Sequence, residues 1–438
     1  MLKIIRILFL LGLLVTAFIS IEAQAAAPTV DVLHVKGTIN PVLVDYIRRG
    51  IEEAEDNNAA ACIIQLDTPG GLDTSMRDIV KDIVNARVPV VVYVSPSGAR
   101  AASAGVFITV AAHVAVMAPN TAIGAAHPVA VGAEGEQAMS EAMEEKIVND
   151  AAAYIRSIAG AHGRNMEWAE RAVRESVSAT ETEALELNVI DMVAPDLDSL
   201  ISQLDGRQVT MLDGSVVTLQ TEGAAVNHVE MNWVEGFLFA IADPNIAYIL
   251  LSVATLGIMV EITNPGLIFP GVVGGISLLL AFYSLGVLPV NYAGVLLIVL
   301  AFGLFIAEVF TTTFGLLTAG GVTSLVIGSL ILFKGGPLFR IDPWLIGGVA
   351  AFIAAFLAFV VQRVIRAHRY QPRTGREELV GKTAIVKAVL EPEGIVLFKG
   401  ERWTAISEEG RVGIGEEVII TRVDGLTLYV TKKSKGGK

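Results

Sequence analysis

Between residues 245 and 362 the chain offers five apolar segments, at about 246–263, 270–288, 292–308, 315–334 and 344–362. Each lies near the ~20 residues that a helix needs to cross a bilayer. The breaks fall at Asn264-Pro265-Gly266, Pro289, Thr311–Thr313 and Lys334–Pro343. This block, more than any other feature, restricts the chain to a multi-span helical membrane protein with domains on either side. It accounts for a hydrophobic content of 53%, above the 45–50% usual in soluble proteins. No segment carries a charge near its centre, which argues against an ion or proton pathway. Only Pro289–Asn291 separate the second and third segments, so three spans with a re-entrant hairpin is the alternative to five.

The flanks orient the block. Arg363, Arg366, Arg369, Arg373 and Arg376 follow the last segment, and such a basic flank is cytoplasmic by the positive-inside rule. At the other end, Lys3 and Arg6, an apolar centre ILFLLGLLVTAFIS and Ala23-Gln24-Ala25 form a secretory signal over residues 1–25. An exported N-terminal domain and a cytoplasmic C-terminus require an odd number of spans, and five satisfies both. The localisation expected is the cell (inner) membrane.

Residues 26–230 alternate strand and helix. VDVLHV, ACIIQLD, VPVVVYV and HVAVMAP read as buried strands, and the segments between them carry apolar residues at helical spacing. Val42, Leu43, Tyr46, Ile47 and Ile51 mark one helix face, and Met76, Ile79, Val80 and Ile83 mark another. Continuous apolar strands joined through helices imply a parallel sheet covered on both faces. Residues 207–221 read as a hairpin turning at Asp213-Gly214. Residues 231–363 form the membrane domain and 364–377 a basic linker. Residues 378–438 alternate Val, Ile and Leu with glycine turns, as in a small five-stranded oligonucleotide/oligosaccharide-binding (OB-like) barrel.

Several function classes are excluded early. A net charge of −13 without a basic stripe in the soluble parts argues against nucleic acid. No Cys/His cluster has zinc spacing and no glycine-rich phosphate loop occurs, so neither a metal nor a cofactor is expected. The single cysteine, Cys62, lies in AAACIIQL and reads as a core residue.

Two stretches carry chemistry. In 67-DTPGG-71, at the end of the second strand, Gly70 and Gly71 can present backbone N–H groups unobstructed. In 95-SPSGARAASAG-105, Ser103 stands between small residues where a strand hands over to a helix. If Ser103 opens that helix, the Ala104 N–H points where an oxyanion would form, reinforced by the helix dipole. Ser95 and Ser97 read as turn residues. A serine nucleophile needs a base. Lys146, on a helix expected over 137–160, sits at the edge of an apolar stripe of Met139, Met143, Ile147, Ile155 and Ile158. A lysine acts as base only when neutral, which requires desolvation. Its other reading is a solvated lysine beside Glu144 and Glu145. His127, in TAIGAAHPV, needs no such desolvation, and Asp150 and Asp67 are candidates to orient it.

DTPGG, SPSGARAASAG and MAPNTAIGAAHPV together resemble the exported protease domain of NfeD-type membrane proteins, relatives of signal peptide peptidase A and of the Clp proteolytic subunit. The resemblance runs through signal, protease domain, membrane block and barrel in that order. It implies an α/β crotonase-like (ClpP-type) fold, Ser103 as nucleophile and Lys146 as base. It further implies a stomatin-like (prohibitin-homology) partner cleaved in an apolar region, and assembly at least as a dimer. In Clp-type relatives the base is a histidine, and His127 lies near that place. Two other readings remain: a crotonase-type acyl-CoA enzyme, and a non-catalytic scaffold for a stomatin-like protein. The first needs carboxylates, which residues 95–130 lack.

Overall fold

The computed structural model describes residues 28–129, 141–311, 313, 315–334, 336–369 and 378–433. The expected signal at 1–25, Met139 and most of the basic linker lie outside them. The chain divides into two compact units, 1–355 and 356–438.

The first unit opens with β1 (Thr29–Lys36), α1 (Pro41–Asp56), β2 (Ala61–Asp67), α2 (Asp73–Val84) and β3 (Val90–Val94). These strands join β5 (Val114–Met117), β8 (Met192–Val193) and β11 (Ala225–Val229) in one six-stranded sheet of order β11-β1-β2-β3-β5-β8. Every pairing in it is parallel. The expected apolar runs are therefore buried on both faces, as β3 is at all five positions. Pro41 starts α1, and the Asn40 side chain accepts from Leu43 N at 3.1 Å, closing the helix start. Val42, Leu43, Tyr46, Ile47 and Ile51 are buried against the sheet, and so are Met76, Ile79, Val80 and Ile83 of α2. Each buried side chain of this size contributes about 1.5–3 kcal/mol.

A second, three-stranded sheet sits beside the carboxyl ends of these strands. It comprises β4 (Arg100–Ala102), β6 (Ala122–Gly124) and β7 (Ser178–Thr180). Between β4 and β5 runs α3 (Ala104–Ala111), buried along its whole length. The long helix is α4 (Glu141–Ala161), followed by α5 (Met166–Arg174), α6 (Glu181–Glu186) and α7 (Leu197–Leu204). The expected hairpin is present as β9 (Gln208–Thr210) and β10 (Val216–Thr218).

Beneath α3 the buried Arg164 donates to Val110 O at 2.6 Å, to Ala112 O at 2.7 Å and to Asp191 Oδ2 at 2.6 Å. His113 and His162 meet edge to face beside it, 6.0 Å between centroids. Burial, and then the Arg164 charge, holds both imidazoles down to about 4, from an ordinary value of 6.5. A depressed folded value means that the folded state binds fewer protons than the unfolded state between pH 6.5 and 4. The stabilisation is present above that window and is lost as pH falls through it. The melting temperature should therefore drop between pH 7 and pH 5, and drop less in a His162→Leu variant. A pH-independent melting temperature over that range would contradict this.

Next come α8 (Trp233–Ile241) and the helices α9 (Pro244–Thr263), α10 (Ile268–Val287), α11 (Tyr292–Phe310), α12 (Leu316–Leu330) and α13 (Pro343–Arg369). All five expected apolar segments are thus helical. Four are long and apolar enough to cross a membrane, whereas α12 has 15 residues, roughly 22 Å against a ~30 Å core. Its start is fixed from the preceding helix. The buried Glu308 carboxylate accepts from Gly315 N at 2.9 Å and from Thr318 N at 3.0 Å. A carboxylate near the end of one apolar segment thus caps the next.

The second unit contains β12 (Thr383–Ala388), β13 (Glu393–Phe398), β14 (Glu401–Ser407), β15 (Glu417–Asp424) and β16 (Thr427–Lys432). They close as a barrel of order β12-β13-β14-β16-β15 around Val386, Val396, Val418, Ile420 and Val430. This is the five-stranded OB-like topology expected from the sequence, with β14 and β16 parallel.

Candidate active site

Ser103 occupies the single residue between β4 and α3. Its backbone has φ 53° and ψ −113°, a region that favours glycine and costs a side-chain-bearing residue about 1–3 kcal/mol. Two bonds over-determine this conformation. Ser103 N donates to Gly124 O at 3.1 Å, and Ser103 O accepts from Val106 N at 3.0 Å. The side chain, half-buried, stands at the N-terminal end of α3, where the helix dipole is positive.

DTPGG runs alongside. Thr68 and Ala101 form a parallel bridge, and so do Ile39 and Gly71. Thr68 is fully buried; its Oγ1 accepts from Gly70 N at 3.0 Å and donates to Gly70 O at 3.1 Å. The Gly70 N–H is therefore spent inside the loop. Gly70 serves the site through its missing side chain, because a Cβ there would lie 2.8 Å from Ser103 Cβ and 3.2 Å from Ser103 Oγ. The Ile39–Gly71 bridge runs through Ile39 N to Gly70 O and Leu72 N to Ile39 O, both 2.9 Å. In a parallel ladder this leaves the N–H of Gly71 itself pointing to the opposite side. Of the three residues expected to form an oxyanion hole, Gly71 and Ala104 keep N–H groups without a protein acceptor among the described residues.

A Cβ on Gly71 would fall 2.1 Å from Ile39 O and 2.5 Å from Ile39 N. Both are backbone atoms, so the strand itself must move. Alanine keeps the N–H but displaces it with the backbone, so Gly71→Ala should lower kcat by up to about 10²–10³-fold, the range for one oxyanion donor, and lower the melting temperature too. Full activity in a purified Gly71→Ala with a lowered melting temperature would exclude the displaced N–H from the chemistry.

The two base candidates converge on one region without touching Ser103. Among the described residues, Ser103 Oγ has no hydrogen bond to Lys146 or to His127. Lys146 lies on the second turn of α4, where residues 142–146 are all exposed; burial of this helix begins at Ala151. Among the described residues, the apolar stripe expected around Lys146 is thus open at Met143, which is 47% exposed. His127 is half-buried, and its Nδ1 donates to Val173 O at 2.8 Å. That bond fixes the tautomer and leaves Nε2 as an acceptor, with Glu144 Oε1 4.0 Å away. Neither expected orienting aspartate performs that role. Asp67 Oδ1 accepts from Arg100 N at 3.3 Å, and Asp150 Oδ2 pairs with Arg77 at 2.5 Å. Thr68 was not singled out from the sequence; a threonine two residues before a glycine is the local signal for this turn.

Ser103, the Ala104 N–H that follows it and the Thr68–Gly70 turn thus lie side by side. Three family domains match the chain in succession. Residues 29–229 match the domain described as NfeD1b, N-terminal domain; residues 245–363 match the NfeD integral membrane domain; and residues 376–432 match the NfeD-like C-terminal, partner-binding domain. The membrane-bound protease PH1510 of Pyrococcus horikoshii is 39% identical over 437 residues, covering 98% of each chain. The membrane protein NfeD1b of Bacillus subtilis is 28% identical over 97% of this chain and 96% of its own. Among solved structures, the 1510-N membrane protease specific for a stomatin homolog, from Pyrococcus horikoshii, is 35% identical. It covers 50% of this chain and 100% of its own, with a TM-score of 0.44. The chain belongs to the NfeD family.

Proposed function

We propose that this protein is a membrane-bound serine endopeptidase acting on an apolar segment of a stomatin-like partner. The observation that carries the reading is Ser103, held in a glycine-type conformation at a helix start, directly before the Ala104 N–H and against Gly70. Strain of this kind persists where the surrounding structure enforces it, and it clusters at reactive positions. The 35% identity to a Pyrococcus membrane protease that is specific for a stomatin homolog supports the choice of substrate.

In this mechanism Ser103 Oγ attacks the scissile carbonyl carbon while neutral Lys146 takes the hydroxyl proton. The carbonyl oxygen gains the negative charge and is received by Gly71 and Ala104 N–H, each donor worth about 3–4 kcal/mol. As the C–N bond breaks, Lys146 returns the proton to the leaving amine. Water, deprotonated by Lys146, then attacks the Ser103 ester, and Lys146 returns that proton to Ser103 Oγ as the acyl C–O bond breaks and the acid leaves. Lys146 is exposed in one chain, so its desolvation comes from substrate or from a second copy, consistent with an assembly of at least two chains. The protease domain is extracytoplasmic and the barrel cytoplasmic in this reading, with residues 26–230 exported.

Histidine catalysis is the second reading, favoured by the fixed tautomer and free Nε2 of His127. The test uses the full chain in detergent with an apolar peptide ester and reads the acyl adduct by mass spectrometry. An adduct on the peptide containing Ser103 is expected. An adduct on another serine, or peptide cleavage retained by Ser103→Ala, removes Ser103 from the nucleophile's role. A chain that binds a stomatin-like protein but never cleaves would instead be a scaffold.

A further inference from the structure

Helix α8 belongs neither to the sheet nor to the spans, and no apolar segment was assigned to it from the sequence. Its exposed residues are Trp233, Val234, Phe237 and Ala240, spaced so that they form one face of a helix. Trp233 is 83% exposed and Phe237 45%, an unusual display on so short an element. We propose that α8 is an interfacial helix that buries this face in the headgroup layer of the bilayer and holds the protease domain down on the membrane surface.

Three observations point to lipid as the occupant. First, α8 is continuous with the membrane block. Only Ala242 and Asp243 separate it from α9, and Ile241 O accepts from Ser284 Oγ of α10 at 2.6 Å. The exposed Ile246 and Ile249 of α9 extend the same apolar surface. Second, the other strongly exposed amphipathic aromatics of the membrane block lie at this end. Tyr292 opens α11 and is 77% exposed; Trp344 lies in the first turn of α13 and is 89% exposed. Asn245 at the start of α9 accepts from Asp342 N at 2.8 Å, tying the starts of α9 and α13 to one level. Tryptophan and tyrosine collect where hydrocarbon meets headgroup, so Trp233, Tyr292 and Trp344 mark one interface.

Third, the opposite side of α8 is fixed to the protease domain, so the exposed face cannot simply roll inward. Arg49 of α1 grips the Glu235 carboxylate through both oxygens, Nε to Oε1 at 2.8 Å and Nη2 to Oε2 at 2.7 Å. Glu235 also accepts from Asn232 N at 2.9 Å, completing a capping box. Phe239 packs on the main core, with its ring so close to Gly37 that a Cβ there would lie 3.1 Å from Cζ. The helix is thus a strut, with one face in protein and the other in lipid.

The test places a spin label at Trp233→Cys and at Phe237→Cys in the full chain, reconstituted in phosphatidylcholine vesicles. Cys62 is fully buried, so the introduced thiol alone takes the label, and both sites are exposed enough to spare the core. Glu222→Cys, on the exposed surface of the protease domain, is the aqueous reference. The expected result is that labels at 233 and 237 favour oxygen over a nickel chelate severalfold more than the label at 222. Nickel accessibility equal to that at 222 would put the face in water and overturn the proposal. Protection from both reagents would overturn it in favour of a second copy covering the face. The readout does not involve peptide cleavage, so it stands or fails separately from the protease reading.

Discussion

Replacing Ser103 by alanine should reduce peptide cleavage by the full chain by about 10⁴–10⁶-fold, to the level left by binding and the oxyanion donors alone. The fold should be untouched, since Ser103 Oγ supports no other group among the described residues. Ser103→Gly separates two properties that alanine leaves joined. Alanine keeps a Cβ and with it the strain at φ 53° and ψ −113°, whereas glycine adopts that conformation freely. The glycine variant should be equally inactive yet more stable than wild type, by roughly 1 kcal/mol or more. For a domain of this size that is about 2–4 °C in melting temperature. Activity, melting of purified protein and labelling by a fluorophosphonate check the two together. A glycine variant that still cleaves would remove Ser103 from the chemistry. One that melts at or below wild type would show that the turn stores no strain.

Why the tight turn at Ser103 could be read from the sequence, and the surroundings of Lys146 only in part, follows from the kind of information each needs. AASAG and DTPGG are local. Small residues at a strand end permit close approach of backbones, and the structure uses them so: Gly70 against Ser103, Gly71 against Ile39. The parallel sheet was equally legible, because β1, β2, β3 and β5 are apolar runs in chain order. The sixth strand, β11, was not. Its AVNHV is exposed at four of five positions and pairs β1 across nearly two hundred residues, which no local pattern records. The same holds for α8, whose WVEGFLFAI merges with the apolar block in composition and stands apart through long-range contacts, Arg49 with Glu235 and Phe239 with the main core. The short α12 escaped for a related reason. Residues 315–334 are apolar throughout, but the last four leave the helix to form a bridge and turn at the level of Val290. Lys146 depends on what covers it, and one chain's sequence holds no account of that.

Lys146→Ala should lower kcat about 10²–10⁴-fold, the range for loss of a general base, with little change in KM. His127→Ala should cost about tenfold at most, the equivalent of one hydrogen bond. Lys146→Arg sharpens the comparison. Arginine keeps the positive charge and much of the length but does not deprotonate in proteins. If Lys146 only orients substrate by its charge, the arginine variant should recover most of the activity; if it takes the serine proton, arginine should be as inactive as alanine. The pH profile adds a second criterion. An amine base gives a rate that climbs toward alkaline pH, and an imidazole base gives one that levels off earlier. A severe loss in His127→Ala with a tolerated Lys146→Ala would assign the base to the His127 Nε2 that the Val173 bond leaves free. The exposure of residues 142–146 adds a consequence that a fully buried dyad would lack. A lysine made neutral by a second copy or by substrate is competent only when covered. Specific activity should then rise with protein concentration if a second copy provides the cover, and stay constant if substrate alone does. In either case a Ser103–Lys146 site would stay silent until substrate or a second copy covers the start of α4.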